Sequence, residues 1–422
     1  MDVNWQILSD LGTEIQRAKD TQEVTEIWHR FLIELRQCKL IYSHPFESDI
    51  VMPSKNWPRN FAKGGFLRAL FAYDNLHFLD RRIAEDQILK RESPLKIDIT
   101  VEFDTNVASY VEGFTENSAT TRRLMVKDVI DFVIITKEVN FGYNFYALEN
   151  AQGFFDGSQV QSIRRNLKAI LKLEYMDRER YQQSGELKLN ITDEELGVRT
   201  DEKLHELYDS PYRDALEREF IPINEMLYVL LLKIVEIEHS DKRKLDVKME
   251  ELYQFMHFEL KTLLVREAMI ALTYFKNRSR LSFFGKINPK PKEKMQELLK
   301  ELRGMSWDLM LFRVMERIAT MPGQGDFLIP YFLSFDKKMV QLFDLFPLKA
   351  ILASENGTQM LPLWVTPPLD ELQKEINMEK IEDYFSHIAS RVRLVERLAN
   401  TRPDLGNLKK QLEAKITRLL TY

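Results

Sequence analysis

The sequence predicts a mixed α/β fold, on three observations. Ile97-Asp98-Ile99-Thr100-Val101-Glu102-Phe103 alternates apolar and polar residues, is rich in β-branched side chains and follows Pro94, all marks of a strand. Phe327-Leu328-Ile329-Pro330-Tyr331-Phe332-Leu333-Ser334 is apolar and strand-like. Around these two segments, apolar residues recur at helical spacing over most of the 422-residue chain. That length suits about two or three domains, or one catalytic domain with large additions.

Taken in order, Trp5, Ile7, Leu8, Leu11 and Ile15, then Trp28, Phe31, Leu32 and Leu35, predict two helices between Val3 and about Leu40. A polar loop with Pro45, Pro53 and Pro58 follows, and a helical stretch is expected at 66–91. After the strand at 97–103, the segment 119–137 reads as a helix that becomes strongly apolar. A buried strand at its end stays open, because periodicity does not separate short buried strands from buried helices. Residues 158–302 are charged and mostly helical, with stretches at 160–180, 201–238, 244–276 and 290–303. One more amphipathic helix is predicted at 305–320 and a short strand at 350–353. Past Thr366-Pro367-Pro368 helical patterning returns at 369–376, 378–400 and 407–420. There is no repeat of fixed period and no low-complexity tract.

Composition narrows the function classes. Hydrophobic residues at 44% and charged residues at 30% lie near the globular average, so the bulk of the chain folds. The net charge of -5 provides no global positive field, and any nucleic-acid binding must be local. Cys38 is the single cysteine, which excludes an internal disulfide and a zinc ribbon and fits a reducing, cytoplasmic compartment. The amino-terminal stretch lacks a basic n-region and an apolar h-region, so no signal peptide is expected. The longest apolar run, from Met226 to Val235, contains Lys233 and is too short to cross about 30 Å of hydrocarbon, so no membrane partner is expected. The phosphate-loop pattern Gly-x-x-x-x-Gly-Lys-Ser/Thr and the His-Glu-x-x-His pattern are both absent, which disfavours an ATPase and a zinc peptidase.

Four acids sit where elements begin or end, and the carboxyl ends of parallel strands are where ligands gather in α/β proteins. Asp104 closes the first strand, Asp336 closes the later one, Asp308 is expected to open a helix after Ser306-Trp307, and Glu149 lies in Phe145-Tyr146-Ala147-Leu148-Glu149-Asn150. Carboxylate oxygens suit Mg²⁺ or Mn²⁺, and such a site activates water and neutralises charge at a phosphoryl displacement.

The run from Ile97 through Asp104-Thr105-Asn106 resembles the opening signature of PIN-domain nucleases, an apolar strand running into Asp-Thr-Asn. Leu333-Ser334-Phe335-Asp336-Lys337-Lys338 is similar to their closing signature, a strand followed by Ser or Thr, one residue and an acid. The helix beginning Trp307-Asp308 resembles the one that supplies a third acid, and Glu149 would be the fourth. The resemblance implies a three-layer α/β/α PIN-like core on a parallel sheet, with Asp104, Glu149, Asp308 and Asp336 around Mg²⁺ or Mn²⁺, Asn106 and Ser334 supporting them, and ribonuclease activity. It covers about 97–155 and 303–355. The interval between Glu149 and Asp308 is far longer than in the family's compact form, and the loop Met321-Pro322-Gly323-Gln324-Gly325 stretches the second half. The implied organisation is a helical region at 1–93, core halves at 94–157 and 303–365, a helical insertion at 158–302 and a helical end at 366–422.

Each residue also has a structural alternative. Asp104 and Asn106 equally suit an Asx turn and helix cap, and Asp308 a first-turn acid. Asp326 is a weaker candidate acid, and Glu138 a substitute for Glu149. Lys286, Lys290, Lys292 and Lys294, with Lys276, Arg278 and Arg280 beside Phe283-Phe284, combine phosphate-binding charge with stacking rings; Lys337 is a further phosphate contact. Here too a solvated basic loop over a buried Phe pair stays open. The expected function is hydrolysis of a phosphodiester at Mg²⁺ or Mn²⁺, in RNA ahead of single-stranded DNA. The rival is a non-catalytic PIN-like scaffold that binds RNA or a regulatory protein partner, by analogy with bacterial defence or toxin-like systems.

Overall fold

The computed structural model describes all residues except 1–4, 46–57, 93, 117–120, 136–138, 210, 212–213, 215, 241–242, 322–324, 356–358, 367, 399–402 and 422. The chain opens with helices α1 (Trp5–Arg17) and α2 (Thr21–Arg30), then strands β1 (Cys38–His44), β2 (Phe66–Ala69) and β3 (Asn75–Leu79) and helix α3 (Arg81–Ile88). Next come β4 (Ile97–Phe103), α4 (Thr105–Thr115), α5 (Thr121–Ile135), β5 (Val139–Gly142) and α6 (Asn144–Phe155). Helices α7 (Val160–Glu174), α8 (Arg178–Ser184), α9 (Asp193–Tyr208), α10 (Ile221–Ser240), α11 (Leu245–Gln254), α12 (Val265–Lys276) and α13 (Met295–Thr320) follow. The last part holds β6 (Phe327–Ser334), α14 (Lys337–Leu345), β7 (Leu348–Ser354), β8 (Met360–Trp364) and α15 (Pro368–Glu375), then α16 (Glu382–Phe385), α17 (His387–Leu398) and α18 (Leu405–Leu420).

Two compact units result. The first comprises 1–216, 311–343 and 347–365; the second 217–310, 344–346 and 366–422. The fold is mixed α/β, as the sequence predicts, and both predicted strands form over the expected residues.

In the first unit, one sheet has the order β5-β4-β6-β2. β4 lies parallel to β5, with Val101 opposite Phe141, and parallel to β6, with Phe103 opposite Leu333. β2 closes the far edge antiparallel to β6 and pairs only from Tyr331 onward, so Pro330 sits where β6 lacks a second neighbour. Because the chain runs β4, β5, β6 while β4 stands between the other two, connections leave it on opposite sides. The carboxyl ends of β4 and β6 therefore form a topological switch point, where α/β sheets bind ligands.

The second sheet, β3-β1-β7-β8, is antiparallel throughout. It corrects two expectations. The helical region at 1–93 contains three strands, and the helix expected at 66–91 is instead β2, β3 and α3. The strand expected at 350–353 forms as β7, but in this sheet and not beside β4. The reason is burial on both faces: β1, β2 and β3 are almost entirely apolar or buried, so their sequences carry no period-two alternation.

Local chemistry fixes the helix ends. Asp20 and Asp80 cap α2 and α3 by accepting from Glu23 N and Ile83 N, and Thr192 with Glu195 forms a capping box on α9. α8 stops at Gly185, whose φ of 69° is the left-handed conformation that glycine adopts without strain. In the second unit, α10 is buried from Leu227 to Glu238, and its interior charges are paired: Lys233 with Glu236 and Glu251, Glu238 with Lys248. Among the described residues no helix is long and apolar enough to cross a membrane.

Candidate active site

The switch point gathers three of the four sequence-predicted acids from β4, β6 and α6. The last ladder bond between the strands, Asp104 N to Leu333 O at 3.3 Å, brings Asp104 beside Ser334. Asp104 caps α4, its Oδ1 accepting from Asn106 N at 3.0 Å and, more weakly, from Asn106 Nδ2 at 3.4 Å. Its Oδ2 accepts from the Ser334 hydroxyl at 2.8 Å. Ser334 Oγ in turn accepts from Asp336 N at 3.0 Å, and Asp336 caps α14 by accepting from Lys338 N at 2.9 Å. One chain of hydrogen bonds thus joins both strand exits, and two helices open onto the site.

Glu149 reaches the same place from α6. It accepts from the Thr105 hydroxyl, which is oriented by Asn150 Nδ2 at 2.9 Å; that amide is held at its other hydrogen by Tyr146 O at 2.8 Å. Burial raises the Asp104 carboxyl, the Asp336 charge adds to this, and the bonds from Asn106 and Ser334 oppose it. Burial, and then the Asp104 charge, push Glu149 up to about 7 against the bond from Thr105. Asp104 therefore repels both other acids. Among the described residues no three His, Cys, Asp or Glu side chains form a ready ion-holding cluster. The donors are hard oxygens, without sulfur or imidazole, and that chemistry fits Mg²⁺ or Mn²⁺.

No protein-family model, curated protein or solved structure matches this chain. The candidate site consequently stands on its geometry.

Other expectations need correction. Asp308 does not open a helix: it lies midway along α13, on the part assigned to the second unit. The helix starts earlier because Met295 to Leu302 continues the same apolar spacing. Asp326 precedes β6, at the opposite end of the sheet, where its carboxylate accepts from Arg82 Nη2 and Lys96 N, both at 3.0 Å. Glu138 lies outside the described residues, as do Pro322, Gly323 and Gln324 of the stretched loop. Phe283 and Phe284 are buried, Phe284 stacked on Tyr274 with ring centroids 4.0 Å apart, so these rings are core and offer no base platform. Lys290 pairs with Glu301, Lys276 with Glu375 and Arg278 with Glu238; Lys286, Lys292, Lys294 and Lys337 are exposed.

Sequence reasoning missed Glu102. Reading β4 as an alternating strand puts it on a solvated face, yet it is fully buried. Its carboxylate accepts from Phe145 N at 3.2 Å and Asn144 Nδ2 at 3.4 Å, at the start of α6, where Tyr143 provides no side-chain cap. Glu102 thus caps from β4 the helix that carries Glu149. Gly142 leaves room for it, since a Cβ there would collide with Glu102 Oε1. Gly142→Ala should destabilise the fold by about 1–3 kcal/mol, the usual cost of overpacking, as measured by denaturant unfolding.

Proposed function

We propose that the chain is a metal-dependent phosphodiesterase of PIN-like architecture, acting on RNA ahead of single-stranded DNA at the ends of β4 and β6. The observation that carries this reading is the hydrogen-bonded chain that joins Asp104 to Asp336 through Ser334, with Glu149 set beside it on the Thr105 hydroxyl, at the switch point. Helix capping accounts for one oxygen of Asp104 and one of Asp336. It does not account for a third acid brought against Asp104 in a place that raises both of their carboxyls.

Asp104 and Asp336 would hold Mg²⁺ or Mn²⁺, with Glu149 beside them. Such an ion, when bound, supplies water activation and neutralisation of the phosphoryl oxygens. The chain's own groups do the rest. Ser334 fixes the Asp104 carboxylate, and Asn106 holds its other oxygen. Glu149, held on the Thr105 hydroxyl, lies close enough to Asp104 for their charges to interact, and before an ion binds its carboxyl is pushed up to about 7. The first turns of α4 and α14 present backbone N–H groups that favour phosphate. Tyr110 and Phe335, half-buried with centroids 5.6 Å apart, place rings next to Asp336, where an unpaired base could stack.

Labelled RNA and single-stranded DNA incubated with the pure protein, in Mn²⁺ or in chelator, test the reading. Cleavage of RNA in Mn²⁺ and none in chelator is expected; no cleavage of either under any condition would favour the scaffold. A role for the exposed lysines is tested separately. Replacing Lys286, Lys292 and Lys294 by Gln should flatten the log-log salt dependence of RNA binding by about 0.7 for each phosphate no longer neutralised. An unchanged slope returns that loop to plain surface charge.

A further inference from the structure

A second polar site lies on the antiparallel sheet, away from the acids. Tyr42 of β1 and His77 of β3 are cross-strand partners with ring centroids 6.2 Å apart. With Thr21, Val24 and Thr25 of α2 and Gln87 of α3, they line a cavity of about 60 Å³. Tyr42 is 1% exposed, and among the described residues neither its hydroxyl nor His77 Nε2 has a hydrogen-bond partner, although both atoms are buried. Folded proteins satisfy nearly all such groups. Both orphans line one cavity, where a single polar guest would bond to both.

Size and charge define the guest. The space, about 60 Å³, is more than one water requires and admits nothing larger than a single flat ring. Burial and the nearby His44 lower His77 to about 4, so the imidazole is neutral. Burial, with Asp20 and Glu23, raises Tyr42 to about 12, so the phenol keeps its proton, and those two acids oppose an anionic guest. The Lys349 ammonium, 5.8 Å from the Tyr42 ring, opposes a cationic one. The walls combine an aromatic pair with hydroxyl, imidazole and amide groups that match a ring edge bearing both donors and acceptors.

We infer that this cavity binds an uncharged heteroaromatic ring of pyrimidine-base size, held at its hydrogen-bonding edge by the Tyr42 hydroxyl and His77 Nε2. The site is separate from the acidic one, and its occupancy does not depend on nuclease activity.

The test titrates the full-length protein with uracil and with cytosine, following the ¹⁵N resonances of labelled histidine, and uses orotate as an anionic ring of the same size. Saturable shifts of the His77 signals by uracil or cytosine are expected, with orotate inert. Tyr42→Phe, which deletes an unpartnered hydroxyl and should leave the fold intact, is expected to weaken binding about tenfold. His77→Phe should act in the same direction, read by calorimetry. No saturation by either base, meaning a cavity that holds water only, would overturn the inference. So would orotate binding as well as uracil, or unchanged affinity in Tyr42→Phe.

Discussion

Asp104→Asn should abolish Mn²⁺-dependent cleavage while leaving the protein folded. Asn is as good a helix N-cap as Asp, so the bond from Asn106 N to the side chain at 104 survives and α4 keeps its start. The Ser334 hydroxyl can turn to accept from the new amide, because it has two lone pairs. What disappears is the charge that holds a cation and that repels Asp336 and Glu149. Activity should fall by orders of magnitude. The Glu149 carboxyl, pushed to about 7 partly by Asp104, should titrate lower in the mutant, which ¹³C NMR of labelled glutamate reads directly. Without metal, the mutant should melt no lower than wild type. Mn²⁺ at a hundredfold excess over Kd should then stabilise wild type by about 2.7 kcal/mol and the mutant much less. Wild-type cleavage by Asp104→Asn would place the catalytic centre elsewhere.

The second large effect is on stability. Glu102→Gln should stabilise the protein at pH 8 and remove much of its pH dependence. Burial lifts Glu102 from 4.5 to about 7, against the bonds it receives from Phe145, Asn144 and Thr100. Its folded pKa therefore exceeds its unfolded one, and between these values the native state binds more protons than the unfolded chain. Stability must fall as pH rises from about 4.5 to 7, the reverse of a salt-bridged carboxylate. At about 1.36 kcal/mol for each pH unit, the ionised group costs roughly 3 kcal/mol above pH 7. Gln fills the same space without charge and still accepts from Phe145 N. Urea unfolding at pH 5 and pH 8 checks this: wild type should lose stability between them, and Glu102→Gln should lose much less. Equal losses would mean that Glu102 is ionised at little cost.

Much of the candidate site is legible in the sequence because its residues carry local signals. A β-branched alternating run ending in Asp104-Thr105-Asn106 gives the strand, its end and the cap together. The apolar run into Ser334-Phe335-Asp336 does the same for β6. Three things are hidden for physical reasons. β1, β2 and β3 are buried on both faces, which erases the alternation that marks a strand. Asp308 resembles a helix start because Ser306 and Asp308 are capping residue types, yet Ser306 instead turns its hydroxyl back to Arg303 O inside a continuous helix. Glu102 reads as solvated because polar residues alternate along β4, whereas helices pack over the faces of a parallel sheet and α6 begins directly against Glu102.

If Asp104 and Asp336 hold one divalent ion between them, anomalous diffraction from crystals soaked in Mn²⁺ will locate it. An anomalous peak is expected at the ends of β4 and β6, about 2.0–2.6 Å from a carboxylate oxygen of each aspartate and absent in Asp104→Asn crystals. No peak there at saturating Mn²⁺, with Asp104 and Asp336 still serving only as caps of α4 and α14, would contradict it.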